Sequence, residues 1–382
     1  MPNTVALGPN AGLIGVAGGR ARLVTPALVL DLEAFEHNIA AMAAFAREKA
    51  VGLRPHVKTH NSVEIARRQI AAGARGVSAA TLGEAAVMVE GGIPGVLITS
   101  PVVPAAKIDA LIALNRRASG LMVVVDHPDN LTALETAARH AGTRLCVVID
   151  VDVGLKRTGV DSVQSALALA KTALASDALA LGGVQGYAGH LQHVIDYAER
   201  KRLSNEALRP LAVLADQLRA WGVKDPIVSG AGTGTFDIDA EAGVLNELQV
   251  GSYVFMDVQY HDDVEAARGG WRFKPSLFVA ASVVSANHAG HVTIDAGLKC
   301  FATDGPLPRV TCGAPPGASY AFMGDEHGKL VFANASDRLA LGAVVECFVP
   351  HCDPSVNLHD VYHCVRGDTL VDLWPIDARG RH

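Results

Sequence analysis

The chain's first candidate for covalent chemistry is Lys58, within Arg54-Pro55-His56-Val57-Lys58-Thr59-His60. The stretch LRPHVK reads as a strand, which leaves the lysine at the strand's end. An ammonium held against apolar walls loses hydration, its pKa falls, and the free amine suits a nucleophile or Schiff-base former. A solvated loop lysine is the plain alternative; the strand end and the flanking histidines narrow that choice. A second stretch is Ser229-Gly230-Ala231-Gly232-Thr233-Gly234-Thr235. Glycines let a backbone approach an anion, and N–H groups and threonine hydroxyls donate to it. The same residues also make an ordinary tight turn. Gly251-Ser252-Tyr253 could add donors. Arg157, in DVDVGLKRTGV, carries a guanidinium that either hydrogen-bonds a bound ring or its phenolate, or lies on the surface. Tyr187, His190 and His193 cluster in QGYAGHLQH, a set suited to acid–base work, although a single histidine is more often structural. The sharpest local signal is Pro350-His351-Cys352-Asp353-Pro354. If the chain stays extended after ECFVP, His351 and Asp353 share a face and Cys352 points away. A His/carboxylate pair with waters suits Mn²⁺ or Mg²⁺, and a thiolate ligand would tilt the site to Zn²⁺. The bland reading of such a pair is a hydrogen bond.

The elements that would position these residues form a repeat. From about residue 26, helix-like stretches with apolar residues at 3.6 spacing alternate with short β-branched runs. About eight strand candidates emerge: LRPHVK, GVSAA, GVLITS, LMVVVD, RLCVVIDV, LGGVQGY, PIVSG and ELQVGSY. They are apolar on both faces, as in a parallel sheet covered by helices. The repeat occupies roughly 230 residues, the usual size of a closed (β/α)8 barrel of TIM type. A doubly wound open sheet is the alternative, without a GxGxxG after the first strand to support it. In such barrels catalytic groups come from the C-terminal ends of strands, and phosphate binds after strands 7 and 8. Near residue 260 the texture changes. HDDVEAARGGWRF reads as a boundary, and short β-like runs follow: SLFVAASVVSA, HVTIDAG, KLVFA, AVVECFVP, VYHCVRG and TLVDLWPI. The expected organisation is therefore a barrel over 26–260 and a mostly antiparallel β domain over 261–382. Residues 1–25 read as a flexible lead-in that can add to the second domain.

Composition limits the remaining classes. Of 382 residues, 49% are hydrophobic and 19% charged, enough to bury a large core. The net charge is −6 and Lys and Arg are scattered, which argues against nucleic acid as partner. No apolar run reaches membrane-spanning length, and the N-terminus lacks the basic region of a signal peptide. Six cysteines without a CxxC pair fit a reducing cytoplasm.

Taken in order, TPALVLDLEAFEHNI, RPHVKTH, GLKRTGV, GAGTGT, NELQVGSYVFMD, TIDAGLK, DEHG, and HCDPSVNLHD with WPIDARG carry a family likeness. From about Thr25 to the C-terminus the chain resembles the D-threonine aldolase and D-serine dehydratase family of alanine-racemase-like (fold type III) pyridoxal-phosphate enzymes. The resemblance implies Lys58 as the pyridoxal-phosphate lysine and Arg157 as a ring contact, with Tyr187 beside them. It places the phosphate near Gly232, Thr233 and Tyr253. It implies His351 and Asp353 as ligands of a divalent metal beside the cofactor. It also implies His193 as base for the substrate hydroxyl. The dehydratase branch usually reads His-x-Cys with zinc; His-x-Asp followed by PSVNLHD is similar to the aldolase branch. The chain departs from aldolase relatives at Ser78-Ala79-Ala80-Thr81-Leu82-Gly83-Glu84, where many carry Cys-Cys-Gln-Lys. It departs again at Asn61, where lysine is common.

The expected activity is retro-aldol cleavage of a small D-β-hydroxy-α-amino acid to glycine and an aldehyde. Dehydration of the same substrates to a 2-oxo acid and ammonia is the first alternative, D-serine and D-3-hydroxyaspartate included. A non-catalytic pyridoxal-phosphate-binding protein is an alternative of another class, and the C-terminal third argues against it. A homodimer is expected from the resemblance alone. Asp325-Glu326-His327 either approaches the metal or braces a turn.

Overall fold

The computed structural model describes residues 8–265, 268, 272–334 and 336–381. Contacts divide the chain into two compact units. One holds Ala40–Lys58 and Val63–Gly251 with the chain from Gly380; the other holds the chain up to Ile39, Thr59–Ser62 and Ser252–Arg379.

A strand β1 (Ala27–Asp31) and a helix α1 (Leu32–Glu48) precede the repeat. Eight parallel strands then form the first unit: β2 (Gly52–Leu53), β3 (Val77–Ala79), β4 (Val96–Ile98), β5 (Met122–Val125), β6 (Leu145–Asp150), β7 (Leu179–Gly186), β8 (Ile227–Gly230) and β9 (Glu247–Leu248). They pair in the order β2-β9-β8-β7-β6-β5-β4-β3. A parallel bridge between His56 and Ser78 joins the two ends, helped by the Ser78 N–H on the Pro55 carbonyl at 2.8 Å. The result is the expected (β/α)8 barrel. Its intervening helices are α2 (Val63–Ala71), α3 (Leu82–Glu90), α4 (Ala105–Asn115), α5 (Pro128–His140), α6 (Val163–Ala175), α7 (Tyr197–Ala220) and α8 (Phe236–Ala242).

Local sequence explains these elements. The runs MVVV in β5 and LCVVID in β6 are buried along almost their whole length, as strands covered by helices require. The Thr81 hydroxyl accepts the Glu84 N–H at 3.1 Å, while the Glu84 carboxylate accepts the Ala80 N–H at 2.6 Å. This reciprocal pair starts α3 in the manner of a capping box. Ser162 and Asp196 cap α6 and α7 by accepting the Ser165 and Glu199 N–H groups, each cap contributing about 1 kcal/mol. Along α7, Ser204, Leu208, Leu211, Ala215 and Leu218 form the buried stripe of an amphipathic helix.

The second unit is a nine-stranded, mostly antiparallel sheet. It joins β1 to β10 (Leu277–Ser285), β11 (His291–Ile294), β12 (Arg309–Cys312), β13 (Ser319–Phe322), β14 (Gly328–Val331), β15 (Val344–Phe348), β16 (Val361–Arg366) and β17 (Thr369–Pro375). A short helix, α9 (Cys352–Val356), follows β15. The path runs β13-β14-β11-β10-β1-β16-β17, with β15 between β10 and β12. Leu23, Ala27, Val29, Ala280, Val365, Leu370 and Leu373 form one of its apolar clusters.

Two expectations change here. The barrel was to begin at residue 26, yet β1 pairs with β10 antiparallel and with β16 in parallel, so its apolar residues are buried in the second unit. The stretch up to residue 25 was read as flexible, and residues 1–7 of it lie outside the described residues. From residue 8 it is tied down. The Gly15 N–H reaches the Leu370 carbonyl at 2.8 Å, and Arg20 grips Glu346 through two bonds of 2.6 Å. Part of the expected boundary stretch, residues 266–267 and 269–271, also lies outside the described residues. Strands β12 and β13 were not anticipated: RVTC and SYAF are short, and neither is a fully buried run.

Candidate active site

The extended chain of β2 runs on past Leu53. The Arg54 and His56 N–H groups bond the Leu248 and Val250 carbonyls, each at 3.0 Å. A single 3-10 turn, Val57–Thr59, then carries Lys58. The lysine is half-buried, and its N–H faces His56 Nδ1 at 3.4 Å. The His56 ring meets the Thr99 hydroxyl at 3.1 Å, beyond the end of β4. The next residue, Thr59, is 1% exposed, and its hydroxyl has no hydrogen-bond partner among the described residues.

A buried polar chain crosses the barrel interior, and sequence reasoning missed it. The Arg54 guanidinium donates to both oxygens of Glu247, at 2.7 and 2.8 Å. The Ser229 hydroxyl donates to Glu247 at 3.0 Å, and Gln249 Nε2 reaches Ser229 Oγ and Gln185 Oε1, each at 2.9 Å. Gln185 Nε2 then donates to Asp150 at 3.0 Å. Burial pushes the Asp150 carboxyl up, while bonds from Thr158 and Gln185 and the nearby Arg157 pull it back.

Asp150 ends β6 and opens the loop that holds Arg157. The Thr158 hydroxyl donates to Asp150 at 2.8 Å, the Gly159 N–H to Asp126 at 3.0 Å, and the Gly154 and Lys156 N–H groups to Asp152 at 2.9 Å. Three carboxylates thus staple the loop. Its exposed Arg157 lies over the Tyr187 ring, 5.6 Å from the centroid. Together with Asp150, Thr158 and Gln185 these two line one cleft. The structure therefore brings Arg157 and Tyr187 together.

His193 follows a 3-10 turn, Gly189–Leu191, and is half-buried; His190 is exposed. Gln192 between them holds the glycine turn. Its Oε1 accepts the Gly234 N–H at 2.9 Å and its Nε2 donates to Thr235 Oγ1 at 3.2 Å. A Cβ at 232 would overlap the Gln192 side chain, and one at 234 its carbonyl oxygen. Close approach to Gln192 is thus the reason for both glycines. Thr233 is buried between them.

In the second unit Tyr253 is 1% exposed, with its ring against Phe273 at 5.7 Å. His351 is extended, but the chain turns into α9 at Cys352, which corrects the expected extended run through Asp353. Cys352 is buried while His351 and Asp353 are half-buried, and its thiol donates to Asp353 Oδ1 at 3.5 Å, so it does not point away from Asp353 as an extended run would have it. Burial holds that thiol well above its usual pKa. His351 Nδ1 contacts Asp304 at 2.9 Å. Among the described residues no group of three or more His, Cys, Asp or Glu converges on a metal position. His351 and Asp353 offer an imidazole and a carboxylate, a donor set that fits a hard divalent ion completed by water or substrate. The segment Asp325-Glu326-His327 joins β13 to β14. Its Asp325 carbonyl accepts the Lys299 N–H at 3.0 Å, its His327 carbonyl the Met323 N–H at 2.9 Å, and Glu326 pairs with Lys299. This is a braced turn.

Residues 30–259 match the family model "Alanine racemase, N-terminal domain", and 276–365 match a serine dehydratase domain. The chain is 40% identical to a D-threonine aldolase of Arthrobacter sp over 94% of each sequence. The chain belongs to the D-threonine aldolase and D-serine dehydratase family of alanine-racemase-like proteins. Another member, a 3-hydroxy-D-aspartate aldolase of Paracoccus denitrificans (strain Pd 1222), is 36% identical over 94% of this chain and 92% of its own. The crystal structure of D-threonine aldolase from Filomicrobium marinum superposes with a TM-score of 0.89 at 39% identity, covering 94% of this chain and 96% of that one. The family's fold is thus the one described above.

Proposed function

We propose that this chain is a lyase that cleaves D-configured β-hydroxy-α-amino acids of the D-threonine type into glycine and an aldehyde. The observation that carries the reading is the 40% identity to a D-threonine aldolase over 94% of both chains. Pyridoxal phosphate is the proposed cofactor, and the donor set of the barrel fits it: a lysine amine in a turn of buried neighbours, a cationic arginine over a tyrosine ring, and a glycine turn carrying a buried threonine. Lys58 would hold it through its amine, Gly232, Thr233 and Tyr253 would take its phosphate, and Arg157 and Tyr187 would flank its ring. When bound, the cofactor supplies an electron sink for the carbon whose bond is cleaved. A divalent ion on His351 and Asp353, Mn²⁺ or Mg²⁺ in preference to Zn²⁺, supplies Lewis acidity for the substrate hydroxyl.

This chain's own residues then do three things. Arg157, fixed by its stapled loop, orients the cofactor and with it the substrate. His351 and Asp353 orient the β-hydroxyl. His193 removes the hydroxyl proton as the Cα–Cβ bond breaks, the aldehyde leaves, and a proton returned to Cα gives glycine. The second reading, dehydration to a 2-oxo acid and ammonia with Lys58 taking the α-proton, is favoured by the serine dehydratase domain match over 276–365. We further propose a cytoplasmic homodimer. No helix among the described residues is long and apolar enough to cross a membrane.

The test is product analysis with D-threonine, pyridoxal phosphate and Mn²⁺. Glycine and acetaldehyde support the aldolase, whereas 2-oxobutyrate and ammonia overturn it in favour of the dehydratase. If neither forms, D-3-hydroxyaspartate is the next substrate. His193→Ala should keep the bound cofactor's absorbance and lose most turnover; near-normal turnover rejects His193 as the base.

A further inference from the structure

The turn that carries His351 is held more tightly than its half-buried surface suggests. Ser355, fully buried, donates its hydroxyl to the His351 carbonyl at 2.7 Å and accepts the Ala302 N–H at 3.0 Å. One side chain thereby fastens the His351 turn to the segment 300–304. On the other side Asp257, also fully buried, spends one oxygen on the Cys352 N–H at 3.1 Å and the other on the Tyr260 N–H at 2.9 Å. The Val258 N–H adds a bond to the Val349 carbonyl at 3.0 Å. The segment tied by Ser355 ends in Asp304, whose carboxylate meets His351 Nδ1 at 2.9 Å.

A carboxylate oxygen facing a ring nitrogen at 2.9 Å is matched by an N–H on that nitrogen, so the contact points to Nδ1–H on His351. That choice leaves the lone pair on Nε2. Carboxylates behind metal-binding histidines fix both tautomer and ring direction, and they raise the basicity of the ligating nitrogen. We propose that Asp304 is the positioning residue of the His351–Asp353 site, holding His351 as its Nδ1–H tautomer with Nε2 as the metal-binding atom. Ser355 acts one step further back by fixing the distance between the two segments. This rests on the metal reading given above.

Two measurements on the full chain separate the proposal from that reading. The first is the tautomer of His351 in metal-stripped protein, from two-bond nitrogen–proton correlations with ¹⁵N-histidine, assigned by its loss in His351→Gln. Nδ1–H is expected in the native chain and in Asp304→Asn, whose amide oxygen still accepts. Asp304→Ala should shift the population toward Nε2–H. The second is Mn²⁺ affinity by electron paramagnetic resonance. Removing an outer-shell partner commonly weakens binding about 10–100-fold, and that loss is expected for Asp304→Ala, with Asp304→Asn within a few-fold of native. Native Mn²⁺ binding with unchanged affinity in Asp304→Ala overturns the proposal alone. So does Nε2–H in the native chain, or an Asp304→Asn variant as weak as Asp304→Ala with its tautomer intact, which makes Asp304 a direct ligand. A native chain that binds no Mn²⁺ overturns the metal reading and the proposal together.

Discussion

Replacing Glu247 by alanine probes the polar chain inside the barrel at its most costly point. Arg54 and Glu247 are 5% and 1% exposed, so the charges have left water almost completely. Two parallel bonds of 2.7 and 2.8 Å offset that desolvation. Without Glu247 the guanidinium keeps its bond to the Gly95 carbonyl but loses its counter-charge, and Ser229 loses an acceptor. Breaking one side of such a pair costs about 3–5 kcal/mol. For a unit of barrel size each kcal/mol lowers the melting temperature by roughly 2–4 °C, so a fall of about 10 °C is expected. The double variant Arg54→Met/Glu247→Leu removes both buried charges and should recover most of the loss. Urea unfolding followed by circular dichroism measures both, with midpoints compared at unchanged slope. A Glu247→Ala midpoint equal to native, or a double variant weaker than the single one, would refute the reasoning.

Asp239 adds a pH dependence. Burial raises its carboxyl to about 6, against bonds from Ser204 and Thr235 that pull it down. The folded chain therefore holds this proton more tightly than the unfolded one, and the contribution to stability falls as pH rises from about 4 through 6. Asp239→Asn should flatten that window when urea midpoints at about pH 4.5 and 7 are compared, and a native chain that gains stability over the window relative to the variant refutes the assignment. Gly234→Ala drives a methyl into the Gln192 carbonyl, an overpacking that costs about 1–3 kcal/mol. Because the same turn is the proposed phosphate site, pyridoxal-phosphate titration by absorbance should show weaker binding, and unchanged binding would remove the turn from the site.

Much of the fold was legible because its elements are periodic. Eight runs such as LMVVVD and RLCVVIDV alternate with helical stretches, and each became a barrel strand. The misreading of β1 has a physical cause. ALVLD carries the same apolar signature whether it lines a barrel or joins an antiparallel sheet, and only pairing with residues about 250 and 335 positions away decides. The lead-in failed similarly. Its glycines and polar residues signal flexibility, while its anchors, Glu346 and Leu370, lie at the far end of the chain.

At the candidate site, reactive residue types stand out in sequence and their supports do not. Lys58, Arg157, His193 and His351 were visible because amines, guanidiniums and imidazoles in short motifs suggest chemistry on their own. Their supports are separated in sequence: Glu247 lies 193 positions from Arg54, and Asp304 lies 47 from His351. No motif of residue types joins them. Gln192 is a different case, since it stands beside His193 and was passed over for having no reactive atom, yet it dictates both glycines of the turn. One signal was available and unused. Pro354 falls in the first turn of α9, where proline's missing N–H has no helical partner to lose. Read that way, His-Cys-Asp-Pro is a helix start with Cys352 turned inward. That helix start brings the buried Cys352 thiol within 3.5 Å of the Asp353 carboxylate, a contact that alternating side chains of an extended run would not make.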